Sequence, residues 1–150
     1  SALYPRGVIV EEFIPGKEFQ VGFIGQNPYK ILGVSCLDYK EFSQCQPFLS
    51  FAAKWNTTSL DYKMLNPKVI SPEQEPLYDD IVSRAQEAGK ALNCKGYFRV
   101  DLREKDGKIF IIDVNPNPDL SLDGGFFRQA QSSGLTFPDL VEAILNQAVS

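Results

Sequence analysis

The sequence predicts an α+β fold, an antiparallel β-sheet with helices packed on one face. Three observations predict it. Successive strand-like segments are joined by short turns, and parallel strands would need long crossovers instead. Two later segments place apolar residues at helical spacing. An Asp-Gly pair divides two alternating segments between residues 97 and 114, the strongest short hairpin signal. With 150 residues, 43% of them hydrophobic and 23% charged, the chain has an ordinary globular composition, which excludes disorder and a bare coiled coil.

Residues 7–13 (GVIVEEF) form an apolar run that turns acidic and predicts a strand, ended by a Pro15-Gly16 turn. Residues 18–24 alternate and predict a second strand. Gly25-Gln26-Asn27-Pro28 is turn chemistry, and residues 30–37 predict a third. Residues 38–69 have weak periodicity and carry Pro47, Asn56-Thr57-Thr58 and Asn66-Pro67. They predict a long loop with one extended piece around residues 48–55. A connection of that length is uncommon unless it has a task. Ser71-Pro72-Glu73-Gln74 is a helix start, with a serine cap, a proline at the first position and a glutamine three residues on. Leu77, Ile81, Ala85, Ala88 and Leu92 extend one apolar stripe to about residue 93. Residues 97–103 and 108–114 predict the hairpin strands. Thr136-Phe137-Pro138-Asp139 opens a last helix with Phe137, Leu140, Val141, Ile144 and Leu145 facing inward.

Nineteen acidic against fifteen basic residues give a net charge of −4, the wrong sign for a duplex-binding surface. No apolar run approaches the roughly 20 residues that span a bilayer, and no signal peptide opens the sequence. There is no histidine, which excludes Ser-His and Cys-His nucleophiles and His-ligated zinc within these residues. Cys36, Cys45 and Cys94 are odd in number and lack C-x-x-C spacing, so they read as reduced, partly buried thiols of a cytoplasmic protein. The sequence starts at Ser1 and enters strand pattern within a few residues, so the expectation is one lobe, residues 1–150, of a longer chain.

The chemistry concentrates in residues 97–121, YFRVDLREKDGKIFIIDVNPNPDLS. Strand alternation puts Arg99 and Asp101 on one side of the first arm, and Asp113 and Asn115 on one side of the second. A two-residue Asp106-Gly107 turn would throw the two sets onto opposite faces. A three-residue loop starting at Lys105 would bring Arg99 opposite Asp113, and this longer loop is expected because it avoids an unpaired Asp113 in the core. Two carboxylates and an amide oxygen beside an arginine make a hard-oxygen site suited to Mg2+ or Mn2+. The arginine can hold a transferring phosphoryl group. A solvated, ion-paired hairpin face is the plainer reading of the same spacing. Asn115-Pro116-Asn117-Pro118, a stiff extended exit from the strand, favours the site.

VEEFIPGKEF near the start and RVDLREKDGKIFIIDVNPNPDLS near the end together resemble the C-terminal half of ATP-grasp ligases, in the D-alanine–D-alanine ligase-like branch. The resemblance runs from about residue 8 to residue 149. It implies the C-terminal lobe of the ATP-grasp fold, with ATP held between this sheet and a second one in missing N-terminal lobes of the same chain. Glu11, Glu12, Phe13 and Ile14 match the segment at the adenine edge, and Glu18 the acid that accepts the ribose hydroxyls. Lys54 matches a lysine that reaches the terminal phosphate. Asp101, Asp113 and Asn115 match ligands of two Mg2+ ions, and Arg99 the arginine beside an acyl phosphate.

The implied reaction phosphorylates a small carboxylate with ATP, forming ADP, and an amine then displaces phosphate. The implied partners are these substrates, with no nucleic acid and no membrane, and the oligomeric state is open. Three positions depart from the pattern. Asp113 stands where glutamate is common, and Asp119 where dipeptide-forming members carry glycine. The Asp123-Gly124-Gly125-Phe126 loop replaces a serine-containing one. The departures leave two alternatives, a ligase of another branch with a different acid and amine, or a non-catalytic nucleotide-binding module.

Overall fold

The computed structural model describes residues 7–39, 48 and 66–148. Its sheet has five strands: β1 (Glu18–Gly25), β2 (Lys30–Leu37), β3 (Lys68–Ile70), β4 (Gly96–Lys105) and β5 (Lys108–Asn115). They lie in the order β3-β2-β1-β4-β5, and every neighbouring pair is antiparallel. Three α-helices accompany them: α1 (Tyr78–Ala91), α2 (Gly125–Ser132) and α3 (Phe137–Ala148). No helix among the described residues is long and apolar enough to cross a membrane.

Alternation along the central strands builds the main core. Phe19, Val21 and Phe23 of β1, Val34 of β2, and Phe98, Val100 and Leu102 of β4 are fully buried against Ile81, Ala85 and Ala88 of α1. Among the described residues, the apolar cover of the opposite face lies at one end. There Ile24 and Leu32 meet Phe126, Phe127 and Ala130 of α2 and Leu140 of α3. The buried Gln129 amide ties α2 to the strands, donating to the Gln20 carbonyl at 2.8 Å and to Ser35 Oγ at 3.0 Å. The expected α+β antiparallel sheet is present, but its helices divide between the two faces. β1 is apolar on both sides near Ile24, and the second side needs its own cover.

The β1–β2 and β4–β5 hairpins and the last helix fall where the sequence places them. The helix expected from Ser71 is interrupted. Pro72–Gln74 makes a 3-10 turn closed by a Ser71 N–H donation to Gln74 Oε1 at 2.8 Å, and α1 starts only at Tyr78. Pro76 is the reason, because it forces Glu75 into extended geometry (φ −141°, ψ 110°). Leu92 and Leu145 face solvent rather than the core.

Residues 7–14 form no strand, and Val8, Ile9 and Val10 are exposed. Among the described residues they have no ladder partner. Strand β3 and helix α2 carried no periodicity long enough to read. Cys36 and Cys94 are half-buried thiols and not disulfide halves, while Cys45 lies outside the described residues.

Candidate functional site

The hairpin that carries the polar residues turns more tightly than expected. Lys105 pairs with Lys108, and Asp106 (φ 53°) and Gly107 (φ 74°) form a two-residue left-handed turn of the kind Asp-Gly favours. The three-residue loop is therefore corrected. Such a turn alone would separate the two polar sets, but the ladder changes step. Leu102 pairs with Ile111 and Asp101 with Asp113, so Ile112 is an extra residue, a β-bulge. Ile109 and Val114 consequently both pack against the α1-side core, although one is odd-numbered and the other even. Beyond the bulge Asp101 lies directly opposite Asp113, and Arg99 opposite Asn115. The four groups share a face through the bulge, and the expected Arg99–Asp113 pairing is replaced. An edge strand can hold this kink because, among the described residues, its outer side is bonded to no neighbour.

Arg99 and Asp101 form a two-bond ion pair, Nε to Oδ1 at 2.6 Å and Nη2 to Oδ2 at 2.8 Å. Burial alone would weaken the guanidinium's hold on its proton. The Asp101 bonds and charge outweigh it, with Asp113 and Glu18 adding, so Arg99 stays more firmly cationic than usual. Asp113 is exposed, and Asn115 Oδ1 accepts the Asn117 backbone N–H at 2.9 Å. Tyr97 O–H donates to Asn117 Oδ1 at 2.6 Å and steadies the Asn-Pro-Asn-Pro exit.

Directly opposed residues on paired strands hold their Cβ atoms about 5 Å apart, where two carboxylates repel each other. Hard donors in that setting, with the Asn115 amide oxygen beside them, fit Mg2+ or Mn2+, which take few protein ligands and keep water. Among the described residues no cluster of three or more His, Cys, Asp or Glu is present, so the fit rests on two carboxylates and one amide.

Asp119 accepts from Ser121 Oγ at 2.6 Å and from Ser121 N–H at 2.9 Å. These bonds, helped by the Arg99 charge, hold its carboxyl below the ordinary 3.8. The folded form thus binds its proton less tightly than the unfolded form. The contribution to stability is complete above the unfolded pKa and disappears as pH falls through the lower folded value. In a Ser121→Ala variant the Asp119 carbon resonance should titrate closer to 3.8. An unmoved midpoint would show that the serine is not the cause.

At the other end of the face, Glu18 Oε2 accepts Tyr39 O–H at 2.7 Å and Arg103 Nη2 at 3.0 Å. Arg103 Nη1 donates to the Ile14 carbonyl at 2.7 Å, and its Cζ lies 5.1 Å from the Phe13 ring centroid and 4.9 Å from that of Tyr39. Arg103 is 4% exposed. The motif reading passed over it, although R-x-D-x-R alternation puts it on the same face as Arg99 and Asp101. Glu11 and Glu12 are exposed, with Glu12 Oε1 3.7 Å from Lys105 Nζ. Phe13 meets Phe48 edge-on, with ring centroids 6.5 Å apart. Lys54, like all but Phe48 of the extended piece expected around residues 48–55, lies outside the described residues. Two surface hollows, of about 640 and 570 Å³, are lined by none of Glu18, Arg99, Asp101, Asp113 and Asn115; one lies beside the β1–β2 turn and α3, the other between β2, β3 and the Ser71 turn.

Comparison with known proteins bears on the family and the fold. The D-alanine–D-alanine ligase of Geotalea uraniireducens is 36% identical over 151 aligned residues, covering 97% of this chain and 43% of that protein. The D-alanine–D-alanine ligase of Rhodospirillum rubrum is 33% identical and covers 97% and 44%. The crystal structure of the Bacillus anthracis D-alanine–D-alanine ligase complexed with ATP superposes with a TM-score of 0.68 at 20% identity, covering 93% of this chain and 40% of that one, and shows the same fold. The chain thus spans less than half the length of the relatives it matches. The family profile described as D-ala D-ala ligase C-terminus matches residues 2–146, and the chain belongs to that family.

Proposed function

We propose that these residues are the ATP- and Mg2+-binding lobe of a cytoplasmic, ADP-forming carboxylate–amine ligase whose N-terminal lobes complete the nucleotide cleft. The supporting observation is the shared face of Arg99, Asp101, Asp113 and Asn115, which the bulge at Ile112 brings into register. ATP transfers its γ-phosphoryl group to a carboxylate oxygen, giving an acyl phosphate and ADP. An amine then attacks the acyl carbon, the C–N bond forms, and phosphate leaves with the C–O bonding pair.

Residues 11–14 hold the adenine edge, Glu18 accepts the sugar hydroxyls, and Lys54 approaches the terminal phosphate. Arg99, held flat by Asp101, neutralises the transferring group in a fixed position, so the charge it stabilises meets a preorganised donor. Asp101, Asp113 and Asn115 would hold two Mg2+ ions, whose bound charge offsets that of the phosphates. Histidine is not needed for such chemistry.

The test is Mg·ATP titration and phosphate release on the full-length protein and on Asp113→Asn. A metal role predicts nucleotide affinity weaker by about tenfold or more, equivalent to about 1.4 kcal/mol, and reduced turnover. Unchanged affinity and turnover would remove Asp113 from the site.

The substrate pair is a separate matter, and Asp119 bears on it. It adds a fixed negative charge held by Ser121 near the Arg99 end of the face. That charge disfavours a carboxylate substrate of the usual shape and favours an acid–amine pair other than two D-alanines. Phosphate release across a panel of acids and amines separates the two, and D-alanine as the best pair would reject the second reading.

A further inference from the structure

We propose that Arg103 is a positioning residue for the nucleoside: it sets the Glu18 carboxylate and the Ile14 carbonyl in place at once, and so controls how the sugar hydroxyls are read. The inference rests on the ATP reading above. Its basis is the fork geometry. One guanidinium nitrogen bonds the Ile14 carbonyl at 2.7 Å and the other bonds Glu18 Oε2 at 3.0 Å, while the Phe13 and Tyr39 rings lie about the same cation. A planar, two-pronged donor can tie two acceptors in one orientation, which a lysine cannot do.

Both bonds to Glu18, from Arg103 and from Tyr39, fall on Oε2. Among the described residues no donor reaches Oε1, so that oxygen is left to accept from a bound hydroxyl. The Tyr39 hydroxyl stays a donor, because burial first and the Glu18 charge second push its pKa far above the ordinary phenol range. Segment 11–14 has no ladder of its own, and Arg103 is its hydrogen-bonded tie to β4 at Ile14. Glu18 pairs with Arg103 across the β1–β4 ladder, so the sheet itself brings the two side chains together.

The experiment measures dissociation constants of the full-length protein for Mg·ATP and for Mg·2′,3′-dideoxy-ATP, which lacks both sugar hydroxyls. The wild type should prefer ATP by about tenfold or more, the scale of a hydrogen bond to a charged group. Arg103→Met should bring that ratio close to one, Arg103→Lys should leave it between the two, and KM for ATP should rise more than kcat falls. A structural role alone would lower thermal stability and leave the ratio intact, and an intact ratio in folded Arg103→Met overturns the proposal. Should the methionine variant fail to fold, the ratio in Arg103→Lys decides in the same way. A wild type that binds ATP without preference also overturns it, whereas a wild type that binds no ATP overturns the nucleotide reading itself.

Discussion

Arg99→Ala in the full-length protein should cut turnover by about two to three orders of magnitude and lower folding stability by about 3 kcal/mol. The two effects share one cause. Asp101 is 7% exposed and accepts both bonds of the Arg99 fork, so alanine strips two charge-assisted bonds from a buried carboxylate. On the proposed role, the same substitution also takes away the guanidinium that would neutralise the transferring phosphoryl group. Arg99→Lys separates the two, because it restores charge near Asp101 without the two-bond geometry. It should regain part of the stability and little of the turnover. Urea unfolding and phosphate release on the two variants check both halves. Full turnover in either would exclude Arg99 from the chemistry.

Gly16→Ala should be about as damaging, by a purely steric route. Gly16 has φ +120°, where side-chain-bearing residues are strained, and a Cβ there would lie 1.9 Å from the Glu104 carbonyl oxygen. The obstacle is backbone and cannot rotate aside. Strain and overpacking together cost about 3 to 5 kcal/mol, unless the segment pulls away from β4. Pulling away would break the Glu104 N–H bond to the Lys17 carbonyl and displace Ile14 from Arg103. The expected result is weaker Mg·ATP binding together with a lower thermal midpoint. Wild-type values for both would show that residues 11–14 are not anchored through this turn.

The parts of the fold legible in the sequence were those with local causes. Alternation in residues 18–24, Asp106-Gly107 and the Thr136–Asp139 cap, where Asp139 Oδ2 accepts the Thr136 backbone N–H at 2.8 Å, depend on neighbours in sequence. Pro76 was equally local, but the strong cap at Ser71 masked it, and two helix signals in one stretch read as one helix. The parts not legible depend on partners. Nothing in residues 7–13 says whether a strand exists to pair with them, and α2 becomes a helix through Phe126, Phe127 and Gln129 docking on the sheet.

The candidate site was legible to the same extent. Motif order singled out Arg99, Asp101, Asp113 and Asn115, and the structure puts them on one face, but by a bulge that no spacing rule announces. Arg103 is readable by parity, but nothing near it in sequence marks it as buried, and a charge near a strand end ordinarily faces water. The Phe13 and Tyr39 rings that lie against it arrive from distant parts of the chain.

The extra residue in β5 also bears on how relatives should be aligned. The tight turn and the kink at Ile112 are compensating indels: each displaces the downstream chain by half a repeat, and together they cancel. A homologue that gains one residue at Asp106-Gly107 can keep its two acidic residues on one face only by dropping one near Ile112. Gaps in this hairpin should therefore come in pairs, and a lone gap would mark a chain whose two carboxylates point to opposite sides of the sheet.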